Sequence, residues 1–137
     1  TLRRDCCYTL PAILLALTVA GCGEGDSLNR GAISGRVTLD GQPLETGSIS
    51  FWPTDGTQGP MATGPIAAGQ YSLESKVGPV VGKHSVKIEA IRDTGKKNDG
   101  GSPITEQIVP PQYNAQTTLK VEIKQGENTQ DFELKSR

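Results

Sequence analysis

The chain has 137 residues, 34% of them hydrophobic, with 14 Lys and Arg against 15 Asp and Glu and a formal net charge of -1. So even a balance gives no electrostatic footprint for nucleic acid, which is held through clustered Lys and Arg. Past the first few residues the one basic pair is Lys96 and Lys97, with Asp93 and Asp99 on either side.

Arg3 and Arg4 precede an apolar stretch from Leu10 to Ala20 that ends in Ala20, Gly21 and Cys22. A basic start, a short apolar run and small residues at the end are the parts of an export signal. The run is too short to span a bilayer. Ala12 to Leu17 is apolar all round, unlike the one-sided stripe of a core helix. Val19, Ala20, Gly21 and Cys22 together resemble the lipobox of bacterial lipoproteins. That resemblance implies cleavage between Gly21 and Cys22 and attachment of diacylglycerol to the Cys22 sulfur. The alternative is an ordinary signal peptide in which Cys22 is coincidental. Two or three acyl chains, at about 0.8 kcal/mol per buried CH₂, would make a durable anchor. Gly23, where retained lipoproteins carry Asp, implies sorting to the outer membrane rather than the plasma membrane.

Removal of residues 1–21, which include Arg3, Arg4 and Asp5, leaves 116 residues with 12 basic and 14 acidic side chains. With Cys22 acylated no cysteine remains to pair, so the exported domain must rest on apolar burial. Residues 22–31 form the lipidated cysteine and a tether rich in Gly, with a reach of roughly 17 Å over nine residues. The folded domain is expected over 32–137.

From residue 32 the apolar period becomes two. Ile33, Val37 and Leu39 share one side of a first strand and Ser34, Arg36 and Thr38 the other. Asp40 and Gly41 signal a turn. Ile49 and Phe51 alternate with Ser48 and Ser50 in a second strand that Pro53 ends. Pieces around Ala62 to Ile66 and Gln70 to Leu73, split by Ala68 and Gly69, predict a hairpin. His84 to Arg92 reads as one long strand with Val86, Ile88 and Ala90 inward, followed by a long loop from Asp93 to Pro103 and a short extended piece from Ile104 to Val109. Strands at Thr118 to Lys124 and Gln130 to Lys135, around Gly126, predict a terminal hairpin. About seven short strands with regular turn signals point to an all-β, antiparallel β-sandwich.

The series Ile33 to Leu44, with Gly47 to Phe51, Gly69 to Tyr71, Gly82 to Val86, Tyr113 and Asn114, and Asp131 to Leu134, resembles the small carboxypeptidase-regulatory-like lipoproteins of planctomycete-type bacteria. The resemblance covers nearly all of 31–137. It implies a prealbumin-like, transthyretin-type sandwich on a lipid anchor and carries no assigned activity. Pro111 and Gln112 depart from the small and basic residues expected before Tyr113. Enzymes on related sandwiches need more than this chain offers. Hydroxyisourate hydrolases need several histidines, and intradiol dioxygenases hold iron with two histidines and two tyrosines, whereas His84 is the single histidine.

The expectation is therefore a protein that is not an enzyme, without cofactor or metal. Its partners would be the membrane through Cys22 and an envelope protein or polysaccharide, with no nucleic acid. His84 could act as a base near neutral pH, but no partner is visible beside it and a surface or edge position is expected. Asp93, Asn98 and Asp99 could offer oxygens to a hard cation, against the reading of a solvated loop. Trp52, Tyr71 and Tyr113 are the candidate ligand contacts. Trp52 either stacks on a sugar or, bent by Pro53, packs inward.

Overall fold

The computed structural model describes residues 28–137; the expected signal segment, its expected cleavage site and Cys22 lie outside the described residues. Period-two burial builds the body. In β1 (Gly31–Leu39) Ile33 and Val37 are buried, and in β3 (Thr46–Pro53) Ile49 and Phe51 are. In β4 (Ala62–Ala67), β5 (Gln70–Leu73) and β6 (Gly82–Glu89) every second residue points inward, among them Ile66, Tyr71, Leu73, Val86 and Ile88. These side chains join Ile123, Phe132 and Leu134 in one core cluster. Each large apolar side chain so buried contributes about 1.5–3 kcal/mol.

Two turns set the register. Leu39 pairs with Gln42 of the short β2 (Gln42–Pro43), with Asp40 at φ 52° and Gly41 at φ 81° between them. Ala67 pairs with Gln70 across Ala68 at φ 50° and Gly69 at φ 74°. Two successive positive φ values give the tight turn whose twist matches that of paired strands.

The strands of the body run β10, β1, β5, β4, β3, β6, β9, where β9 is Lys120–Ile123 and β10 is Gly126–Thr129. The two ends of this order are neighbours in sequence, separated by Lys124 and Gln125, so the sheet curls into a half-barrel. Asn128 fastens the join. Its Oδ1 accepts from the Lys124 N–H at 2.9 Å, while Nδ2 donates to the carbonyls of Lys124 at 2.8 Å and Ala32 at 2.9 Å.

Here the expected terminal hairpin is corrected. β9 pairs antiparallel with β6, whereas β10 and β11 (Phe132–Leu134) lie parallel to β1. Alternation assigns a strand its faces but not its neighbours, and the two segments separate to opposite ends of the sheet. Between β10 and β11 the chain passes close over Gly35, where an added Cβ would lie 1.9 Å from the Gln130 carbonyl oxygen.

The long strand read over His84 to Arg92 is also corrected, because it breaks at Ala90. The Ala90 N–H donates to Gln107 Oε1 at 2.9 Å, and the Ile108 N–H donates to the Ala90 carbonyl. Beyond this point β7 (Ile91–Lys97) and β8 (Pro103–Gln107) pair only with each other. The stretch read as a loop from Asp93 to Pro103 is thus most of a two-stranded arm.

After the arm a strap over 108–119 returns across the body. It holds a short 3-10 helix, Pro111–Tyr113. Thr117 Oγ1 donates to the Val86 carbonyl of β6, and Tyr113 Oη accepts from the Lys135 N–H at 3.0 Å, just past β11. Ile108, Val109, Tyr113 and Leu119 pack on the core. At the other end the domain grips the chain before residue 32. The Val81 N–H donates to the Asn29 carbonyl at 2.7 Å, and the Gly31 N–H to the Pro79 carbonyl at 3.0 Å. Backbone bonding needs no apolar side chain, so the end of the Gly-rich tether joins the fold without a signal in its composition.

Candidate functional site

Of the three candidate aromatic contacts, the structure puts one at the surface. Trp52 alternates with Phe51, so its ring stands on the outer face of the sheet and is 41% exposed. Pro53 does not turn it inward, because the strand continues far enough for Pro53 to pair with His84. The Lys87 Nζ lies 4.5 Å from the centre of the indole, a cation–π contact across the β3–β6 pair. Ser50 and Thr63 share a hydrogen bond of 3.1 Å on the same outer face. Beside this region Asp55, Lys83, Lys120 and Glu122 line a depression of about 320 Å³, with Lys120 Nζ 3.7 Å from Asp55 Oδ2.

Tyr71 and Tyr113 have structural work instead. Tyr71 is 3% exposed; its ring lies between those of Phe51 and Phe132, with centroids 6.2 and 6.1 Å away. Its hydroxyl donates to the Gln130 carbonyl at 2.6 Å, and burial holds the phenol well above its ordinary pKa. This side chain is therefore not a surface contact. Tyr113 is half-buried, its hydroxyl taken by the Lys135 N–H.

The surface or edge position expected of His84 is corrected: the side chain is fully buried. It sits on the inner face of β6 between Pro53 of β3 and Val121 of β9. Nδ1 lies 3.1 Å from the Gly82 carbonyl, and Nε2 has no hydrogen-bond partner. Burial pushes the imidazole below its ordinary pKa, against a smaller opposing effect of the Gly82 bond. The one histidine of the chain is thus placed in the core.

The arm is exposed along almost its whole length, including Ile91 at 64% and Ile104 at 40%. Arg92 pairs with Glu106 across its strands. Two of the three side chains considered for a cation bond within the arm. Asp93 Oδ1 accepts from the Gly95 N–H, and Asn98 Oδ1 accepts from the N–H groups of Gly100 and Ser102. Among the described residues no three His, Cys, Asp or Glu side chains gather as a metal site. At the arm's root a cleft of about 360 Å³ opens between Thr46, Ser48, Glu89, Ile91 and Gln107.

The arm is the feature that sequence reasoning missed. The extended piece expected at Ile104 to Val109 overlaps its second strand, while the loop expected from Asp93 to Pro103 hides the first and the pairing of the two. No family model matches the chain, and no curated protein matches it.

Proposed function

We propose that this protein is a non-enzymatic, lipid-anchored module of the bacterial cell envelope, a prealbumin-like sandwich that makes structural or protein contacts through its arm. The observation that carries the reading is the arm itself. A two-stranded ribbon that buries almost none of its surface in its own domain, and holds two isoleucines out to solvent, adds nothing to the core. The sealed imidazole of His84 supports a role other than catalysis. The Val19 to Cys22 pattern supports the anchor, and the resemblance of 31–137 to small envelope lipoproteins supports the setting.

Two measurements test it. Intact mass of the protein from its native membrane fraction should begin at Cys22 and carry acyl chains, and a Cys22→Ala form should lack them. Cross-linking in the envelope should give adducts through the arm that disappear in the double variant Ile91→Ser, Ile104→Ser. Unmodified protein in the first experiment, or unchanged adducts in the second, would refute the corresponding half.

A second reading has its own observation. Trp52 is a half-exposed indole on a sheet face with serine and threonine hydroxyls close by, an arrangement that suits stacking on a sugar ring. Glycan-array binding lost in Trp52→Ala, with stability retained, would favour a carbohydrate-binding domain over the arm.

A further inference from the structure

Among the described residues, His84 carries the buried side-chain nitrogen that lacks a hydrogen-bond partner. Its Nδ1 sits against the Gly82 carbonyl, which fixes the proton of the neutral ring on that nitrogen and leaves Nε2 as a bare acceptor. A proton added at Nε2 would create a charged N–H donor with nothing to receive it, in a site closed to water.

Among the described residues the surrounding charges give no relief. On β6 itself Lys83, Lys87 and Glu89 alternate out of phase with His84 and stand on the outer face. On β9, Lys120 and Glu122 do the same, on either side of Val121. β3 carries no ionisable side chain, and Asp55, just beyond it, pairs with Lys120. In the segment leading to β6, Glu74 and Lys76 are exposed, and Arg30 donates to the Gly78 carbonyl. The charged imidazole must therefore reach solvent.

The two strands flanking His84 are not equally held. β3 is locked between β4 and β6, whereas β9 is the last strand of the sheet and pairs with β6 alone. We propose that the domain is acid-responsive, with His84 as its trigger: proton uptake at Nε2 detaches β9 from β6 and loosens the strap that leads into it. The strap is drawn in because Thr117 and Leu119, immediately before β9, hold the Val86 backbone one step along β6 from the imidazole.

The sign follows from linkage. The folded state holds the imidazole below its ordinary pKa of 6.5, so above that pH both states are neutral and stability is whole. Below it the chain with β9 detached, like the unfolded chain, takes up a proton that the closed fold refuses, and the constant for either opening rises by up to tenfold for each pH unit.

The experiment compares the full chain in detergent with His84→Leu and His84→Gln, by urea unfolding between pH 8 and pH 5 and by hydrogen exchange at pH 7.5 and 5.5. The wild type should lose stability below about pH 6.5 relative to both variants, approaching tenfold per pH unit. After correction for intrinsic rates, amides of β9 and the strap should lose protection at pH 5.5 while β3, β4 and β5 keep theirs. Parallel stability curves in wild type and variants would overturn the proposal. So would equal protection of β9 at the two pH values, a result the wild type gives alone should either variant fail to fold.

Discussion

Gly35→Ala isolates a single backbone contact. Gly35 lies in β1 at an ordinary negative φ, so alanine suits its backbone, and the cost comes from what its Cβ meets. That atom would sit 1.9 Å from the Gln130 carbonyl oxygen and 2.6 Å from its carbon, whereas Cβ atoms hold at least 3.0 Å. The crossover between β10 and β11 must retreat by 1.1 Å, the difference between those distances. Three hydrogen bonds depend on its place: Tyr71 Oη to the Gln130 carbonyl at 2.6 Å, the Gln130 N–H to the Ser34 carbonyl at 2.9 Å, and the Arg36 N–H to Asp131 Oδ1 at 2.8 Å. At about 1 kcal/mol each, their loss costs about 3 kcal/mol. The reduced freedom of the unfolded chain returns about 0.4–1 kcal/mol, which leaves a net loss of about 2–3 kcal/mol from a domain stability of about 5–15 kcal/mol. With a urea slope near 1.5 kcal/mol per molar, the midpoint should fall by about 1.3–2 M. Gly41→Ala is the comparison: no atom lies within 4 Å of its added Cβ, so its loss of about 1 kcal/mol comes from φ 81° alone. A shift below about 0.5 kcal/mol in Gly35→Ala would show that the crossover yields freely and that Gly35 is not there to admit it.

Asn128→Ala should cost about 2–3 kcal/mol, because it removes the bonds that join β9 to β10; chemical denaturation measures it, and a loss under 0.5 kcal/mol would mean that water replaces the amide. Tyr71→Phe should cost about 0.5–1.5 kcal/mol by removing the hydrogen bond to the Gln130 carbonyl, and Phe51→Ala about 3–5 kcal/mol by opening a cavity at the middle of the core, both read from thermal unfolding. Trp52→Ala should change stability by less than about 1 kcal/mol, since it gives up only a surface cation–π contact; a larger loss would show that the indole is part of the packing.

Much of the body was legible because burial on one face writes itself as alternation. β1, β3 and the β4–β5 hairpin fall where Ile33 and Val37, Ile49 and Phe51, and Ala68 and Gly69 put them. Trp52 was equally legible by phase, one residue from Phe51, and the pull expected of Pro53 does not materialise because Pro53 stands at the end of β3, past its last pairing with β4. His84 is the instructive case. It shares parity with Val86 and Ile88, so period two already turned it inward, while the chemistry of histidine beside Lys83 argued for water. Packing prevailed. The arm left no such trace, since a ribbon exposed on both faces has no apolar face to alternate. Strand neighbours were out of reach for a different reason: β9 and β10 adjoin in sequence, yet a side-chain amide, not a ladder, binds their junction. The strap's Tyr113 and Asn114 were visible as a motif, but their use became apparent only with Lys135 and Val109 in place.

The pairing of β1 with β10 and β11 fixes when the domain can fold. Asn128 reaches Ala32 across 96 residues of chain, and Asp131 reaches the Arg36 backbone across 95. A chain emerging from a ribosome or a translocation pore with its early residues first would present β1 long before its parallel partners. Until residues 126–134 arrive, β1 has β2 and β5 on one edge and an open ladder on the other. Contacts of such range form late and slowly. Completion of the domain thus waits on residues 126–134, and until they arrive the unpaired side of β1 is the surface most in need of a chaperone's cover.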